Sequence, residues 1–226
     1  MDIRAEGISR RYFRRTGEAN YFEAVCRTDF TVEAGKVTVL LGRSGSGKTT
    51  LLHMLAGLLT PTGGKIFLGD TDLYSLEDKA LSEIRNKRIG VIPQGRSVID
   101  TLTVLENILL PAALYGGESR GQEALEWMKK LDIAHLADSR PTELSGGELR
   151  RVAIVRALAG KPEVILADEP TGDLDDENTA LVLSALRDAA RDGAAVLLVT
   201  HEGEAKQYAD EVWRMNAGTL TREERN

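Results

Sequence analysis

Apolar residues along this chain fall into short unbroken runs and into longer segments where they recur every three or four positions. The runs Val37-Thr38-Val39-Leu40-Leu41, Val164-Ile165-Leu166-Ala167 and Ala195-Val196-Leu197-Leu198-Val199 show almost no polar alternation, as strands covered on both faces of a parallel sheet require. Each leads straight into glycine or polar residues. Ligands of open parallel sheets sit beyond the carboxyl ends of the strands, so chemistry is expected at Gly42, Asp168 and His201. The region before residue 40 differs. Ile3, Ile8, Tyr12, residues 21–30 and Val32, closed by Gly35-Lys36, predict antiparallel strands joined by hairpins. Between Gly95 and Thr142 the period turns helical: residues 104–114 are apolar, and residues 118–131 keep Ala124, Leu125, Trp127, Met128 and Leu131 at helical spacing. The expected fold is α/β, with a parallel core, an N-terminal antiparallel β layer and an inserted helical subdomain. Residues 221–226 read as a polar tail.

The first strand run ends in Gly42-Arg43-Ser44-Gly45-Ser46-Gly47-Lys48-Thr49, which fits G-x-x-x-x-G-K-[ST] and is followed by Thr50 and an apolar helical segment. Glycines let such a loop curl with its N–H groups pointing inward, and the positive end of the next helix adds to that field. Lys48 is expected to bridge the β- and γ-phosphates of a bound nucleotide, and the Thr49 hydroxyl to bind Mg²⁺. His53, on the same helix, reads as a packed or surface histidine. A second anion site is expected where Ser145, placed as an N-cap, and Gly146-Gly147 precede a helix with apolar Leu149, Val152, Ala153, Val155 and Ala157.

Composition narrows the partners. A chain of 226 residues with 42% apolar content fits one large domain. With a net charge of −6 there is no diffuse basic field, so no nucleic acid partner is expected. The one dense basic stretch, Arg10, Arg11, Arg14 and Arg15, reads as a solvated loop. A single cysteine, Cys26, excludes internal disulfides and fits a reducing compartment, and the start Met1-Asp2-Ile3-Arg4 lacks the apolar core of a signal peptide. The expected setting is the cytoplasm. The apolar stretch at 103–114 is broken by Glu106, Asn107 and Pro111, short of the roughly 20 residues a membrane span needs. Any membrane role would come through a partner.

Leu144-Ser145-Gly146-Gly147-Glu148 resembles the signature of the ATP-binding cassette (ABC) proteins, and other motifs follow the family's order over nearly the whole chain. Residues 164–169 resemble a Walker B motif. The resemblance implies that Asp168 serves the Mg²⁺ shell and that Glu169 polarises the water attacking the γ-phosphate. Residues 170–175, ending in Asp175, resemble the D-loop that touches an opposing subunit. Ile89-Gly90-Val91-Ile92-Pro93-Gln94 reads as a strand ending in Gln94, which is placed like the glutamine that contacts Mg²⁺ and the attacking water, and His201 is placed like the switch histidine. Tyr12 resembles the aromatic that stacks on adenine, with Phe13, Tyr21 and Phe22 as alternatives. The implied architecture is a RecA-like P-loop NTPase core: residues 1–94 and 152–226 form the β layer and nucleotide-binding core, and 95–151 a helical signature subdomain.

In the family the amides at Ser145 and Gly147, beside Gly146 and Glu148, close over an ATP held by a second subunit. A head-to-tail homodimer, or a pairing with a second ATP-binding subunit, is therefore implied. Residues 165–172, 102–108 and 73–76 look most like the group serving lipoprotein release, macrolide efflux, the cell-division ABC complex and resistance to antimicrobial peptides. Its members pair with separate integral membrane permeases, which implies a peripheral position on the inner face of the membrane. Gly95-Arg96 after Gln94, and Glu202 after His201, depart from that group's pattern. The alternative is a non-transport ABC ATPase acting on ribosomes or DNA; such proteins usually carry two cassettes or a long coiled-coil insertion, and this chain shows neither. A P-loop GTPase is disfavoured, because Asn86-Lys87-Arg88-Ile89 lacks the aspartate of a guanine-reading Asn-Lys-x-Asp.

Overall fold

The computed structural model describes residues 1–13, 21–115, 120–172 and 174–223. Arg14, Arg15, Glu118, Asp173 and residues 224–226, which figure in the expectations above, lie outside them. In chain order the elements begin with β1 (Ile3–Phe13), β2 (Tyr21–Val32), β3 (Val37–Leu41), α1 (Lys48–Leu55), β4 (Gly63–Leu68) and β5 (Thr71–Asp72). Then come α2 (Asp78–Arg88), β6 (Ile89–Ile92), α3 (Val104–Leu114), α4 (Gly121–Lys130), α5 (Gly146–Leu158) and β7 (Val164–Asp168). The chain closes with α6 (Asp176–Arg191), β8 (Ala195–Thr200), β9 (Glu211–Asn216) and β10 (Thr219–Glu223).

A six-stranded sheet in the order β10-β9-β3-β8-β7-β6 forms the centre, parallel from β9 to β6, and a four-stranded antiparallel sheet, β2-β1-β4-β5, packs beside it. The period of two along each central strand divides the interior into two cores. Val37, Val39 and Leu41 of β3, Ile165 and Ala167 of β7, and Val196 and Leu198 of β8 face the core shared with α3 to α6. Leu40, Leu166, Leu197 and Val199 face the core shared with α1 and the antiparallel sheet. Burial on both faces explains why these strands read as continuous apolar runs. Truncating Leu40, Leu166 or Leu197 to alanine would cost about 2–5 kcal/mol by leaving a cavity.

Several details correct the sequence reading. The antiparallel layer is not confined to the amino-terminal region, because β4 and β5 join it from beyond α1. The strand before Gln94 stops at Ile92, since Pro93 has no N–H to give a ladder. Thr221, expected in a tail, lies in β10, which pairs with β9 through a turn with positive φ at Ala217 (45°) and Gly218 (82°). Arg10 and Arg11 sit in β1 and not in a loop: Arg10 donates to the Thr60 carbonyl at 2.8 Å, and Arg11 pairs with Glu23 at 2.6 Å. The helix expected over 118–131 runs from Gly121 to Lys130. Finally, α5 continues through residue 151, so a subdomain boundary there cuts a helix that both parts share. Among the described residues, no helix is long and apolar enough to cross a membrane.

Candidate functional site

The ends of β3, β7 and β8 and the residues after β6 open onto one cavity of about 740 Å³, lined by Tyr12, Phe22, Ala24, residues 43–50, Gln94, Glu169 and His201. Its floor is the loop before α1. Gly47, the residue capping α1, has φ 109°, and a Cβ there would lie 2.0 Å from the Ala24 carbonyl oxygen, so only glycine fits. Gly42 is held as closely, with the Met215 carbonyl 2.5 Å from where its Cβ would stand. The β9–β10 hairpin thus braces the loop from behind, and Gly218 N–H donates to the Ser46 carbonyl at 2.9 Å. No side chain caps the first turn of α1, which leaves its amides facing the cavity. Lys48 is buried, with Nζ donating to the carbonyls of Gly42 (2.6 Å) and Arg43 (3.2 Å). Ser46 Oγ is buried with no hydrogen-bond partner among the described residues. Orphan donors, a buried cation and an unsatisfied hydroxyl around one hollow suit a polyanion.

Opposite this floor stand the carboxylates. Thr49 Oγ1 donates to Asp168 Oδ2 at 2.7 Å, so α1 and β7 are pinned together by two oxygen groups. Burial holds the Asp168 carboxyl above its usual value, opposed by the Thr49 hydrogen bond and reinforced by the charge of Glu169. Glu169 follows the strand with φ 48°, in the left-handed region, and this bend turns its carboxylate into the cavity. Thr200 Oγ1 donates to Glu169 Oε2 at 2.9 Å, and His201 Nδ1 lies 3.0 Å from both carboxylate oxygens. That contact pushes the His201 imidazole above the ordinary histidine value. Thr171 Oγ1 donates to Glu202 Oε2 at 2.5 Å, so the glutamate after His201 anchors the segment following Glu169.

Strand register sorts the aromatics. Tyr12 pairs with Phe22 across β1 and β2 while Phe13 pairs with Tyr21, which puts the two pairs on opposite faces. Tyr12 and Phe22 stack with ring centroids 5.5 Å apart, the Arg10 guanidinium lies 4.7 Å from the Tyr12 ring centroid, and both rings line the cavity. Phe13 is 88% exposed and, like Tyr21, is absent from the lining.

The remaining expected residues lie elsewhere. Ser145 caps α5: its Oγ accepts from Glu148 N–H at 3.3 Å, and Glu148 Oε2 accepts from Ser145 N–H and Oγ–H, each at 2.7 Å. Those bonds lower the Glu148 carboxyl below its usual value. Ser145 and Gly146 are exposed, and neither they nor Gly147, Glu148 and Asp175 border the cavity. Asp175 caps α6, accepting from Asn178 N–H at 2.8 Å. Thr50 lies at the cavity edge and Gly42 behind it, while His53, half-buried on α1, is not in the lining. Sequence reasoning missed Thr200, Thr171 and the buried Arg150; of these, only the position of Thr200 beside His201 offered a hint.

Residues 25–172 match the ABC transporter family. The chain is 34% identical over 222 residues to "Lipoprotein-releasing system ATP-binding protein LolD" of Xanthomonas euvesicatoria pv. vesicatoria (strain 85-10), covering 96% of this chain and 89% of that protein. The same identity and coverage of this chain hold against the protein of that name from Xanthomonas campestris pv. campestris (strain 8004), with 91% of it covered. Among solved structures, the post-hydrolysis dimer of the ATP-binding cassette MJ0796 bound to ADP and Pi superposes with a TM-score of 0.87 at 30% identity, over 99% of this chain and 100% of that one. A second dimeric structure of MJ0796, described as a bacterial ABC transporter cassette, gives 0.88 at 31% identity over the same shares.

Proposed function

The chain belongs to the ABC transporter family and is an ATP-binding cassette ATPase, and from that premise we propose that it powers a separate membrane permease of the lipoprotein-releasing kind, paired with a second cassette. The observation that carries this reading is the division of the phosphate-binding groups. Lys48, Gln94, Glu169 and His201 share one cavity, while the exposed N-terminus of α5 lies outside its lining. One chain therefore supplies two half-sites, and pairing two chains head to tail would complete each. The similarity to LolD proteins of Xanthomonas supports the permease and the cargo class, and to work there the subunit would dock at the inner membrane face.

In this reading residues 42–50 cradle the triphosphate, and Lys48 exchanges its loop carbonyls for phosphate oxygens. The Tyr12–Phe22 stack offers a platform for the adenine, with Tyr12 the nearer candidate on sequence grounds. Thr49 and Asp168 form an oxygen donor pair suited to a hard cation. Such a pair suits Mg²⁺, an ion that takes few carboxylates and completes its shell with phosphate and water. Bound there beside Gln94, Mg²⁺ would neutralise charge on the phosphates. Glu169 holds the attacking water and takes its proton, while His201 and Thr200 orient the carboxylate. Ser145, Gly146 and Gly147 of one chain, with Glu148 closing the cap beside them and Asp175 near the same interface, serve the ATP bound by the other. The helices between 95 and 151, sharing α5 with the core, form the moving part.

Glu169→Gln tests this assignment. Turnover is expected to fall on the order of 10²–10⁴-fold while ATP still binds and a dimer accumulates on gel filtration. Hydrolysis near the wild-type rate would remove Glu169 from its role. Purification from membranes with no integral membrane protein attached would remove the permease.

A further inference from the structure

We infer that Arg150 is a positioning residue for ATP hydrolysis, holding the backbone that carries Glu169 and the backbone before Gln94 in register with α5. Its guanidinium is buried and donates to carbonyls from two separate strand exits. Nη1 reaches Pro93 at 2.7 Å, Nε reaches Pro170 at 3.1 Å, and Nη2 reaches Asp168 at 3.1 Å and Glu169 more closely still. A planar fork with five N–H donors can serve several carbonyls at once, whereas an ammonium group, a compact charge on a flexible stem, offers no such fixed geometry.

Glu169 needs such support. Its φ of 48° is disfavoured for a residue with a Cβ, and it persists only where neighbours over-determine it. Here the amide of Glu169 donates to the Val199 carbonyl at 2.8 Å, and its own carbonyl is taken by Arg150. β8 and α5 thus pin the peptide groups on either side of the carboxylate. Arg156, farther along α5, donates to the Ser97 carbonyl and to Ser97 Oγ at 2.8 Å, so the same helix holds the segment following Gln94 at a second point. A displacement of the α5 N-terminus, where Ser145 stands, would therefore be felt first at Glu169 and Gln94, through Arg150.

The inference rests on Glu169 as the hydrolytic base, and the test separates the two. Single-turnover hydrolysis, the KM for ATP, the Kd of a fluorescent ATP analogue for the isolated subunit, and Tm are measured for Arg150→Lys, Glu169→Gln and the double variant. Arg150→Lys is expected to lower kcat on the order of 10- to 100-fold, as misplacement of a reacting group does. KM and Kd stay within about twofold of wild type, because ground-state binding does not pass through Arg150. On the Glu169→Gln background the lysine change causes no further loss, since both act through one group. An unchanged kcat, a parallel loss of ATP affinity, or losses that multiply in the double variant would each overturn the proposal. Should the lysine variant not fold, Arg150→Gln is put through the same comparisons; failure of both to fold would mark Arg150 as structural and overturn it as well. If Glu169→Gln alone hydrolyses ATP normally, it is the reading of Glu169 that fails, whatever Arg150 does.

Discussion

The N-terminus of α1 lies at the cavity with no side-chain cap and with buried Lys48 beside it, whereas that of α5 lies outside the cavity, exposed and closed by the Ser145–Glu148 capping box. Both ends carry the partial positive charge of a helix, and both are candidate phosphate sites. The first keeps its amides for a ligand. The second already gives the Ser145 N–H and hydroxyl to the Glu148 carboxylate, whose proton is held less tightly than usual. A phosphate brought to α5 has to share Ser145 with Glu148, and disturbing a capping box costs about 0.5–2 kcal/mol. In the proposed dimer, then, α1 binds ATP by itself, and α5 joins only when a second chain presents a triphosphate already held.

The most severe way to break the comparison is Ser145→Arg. It should lower kcat on the order of 10²–10³-fold, as losing a preorganised oxyanion donor does, while ATP binding by the isolated subunit is unchanged in a fluorescence titration. A fall in affinity by the isolated subunit would mean that α5 serves its own chain's ATP. Next comes Lys48→Ala, which loses charge-assisted hydrogen bonds of about 1.5–3 kcal/mol and should weaken ATP binding about 10- to 100-fold by calorimetry. Unchanged affinity would show that the loop amides suffice. Glu148→Gln sharpens the contrast more gently. Removing the carboxylate charge should make ATP-driven dimerisation tighter by about two- to fivefold, the scale of an exposed charge pair, and a weaker dimer would show that Glu148 assists the phosphate.

The smallest effect concerns pH. His201 is raised above 6.5 by Glu169, so its pairing stabilises the folded chain fully below 6.5. The contribution is lost as pH rises from 6.5 through the elevated folded value, because the unfolded chain releases its proton first. The Tm gap between wild type and His201→Gln, measured on nucleotide-free protein, should therefore narrow as pH rises. A gap that does not change with pH would show that the pairing is absent in solution.

What the sequence made legible was whatever burial or spacing writes plainly. β3, β7 and β8 are covered on both faces, and the loop at 42–49 allows few substitutions at Gly42 and Gly47 because backbone presses against both. Less was readable at the edges. β4, β5 and β10 are short and partly exposed, so Thr71-Asp72 or Thr219 to Thr221 carry too little apolar periodicity to distinguish a strand from a loop. Arginines ordinarily stay at the surface, yet Arg150 and Arg156 are turned inward by carbonyls contributed from other parts of the chain. The choice between Tyr12 and Phe13 hung on which face of β1 looks inward, and that depends on a register interrupted by irregularities between Ala5 and Arg11.

The backbone bend at Glu169 sets two kinds of selection against each other. A glycine there would sit at ease, since the left-handed region disfavours any side chain by roughly 1–2 kcal/mol. Lineages screened only for thermal robustness would weigh that relief against the bonds that the Glu169 carboxylate makes with Thr200 and His201. Lineages screened for turnover would hold the glutamate whichever way that balance falls.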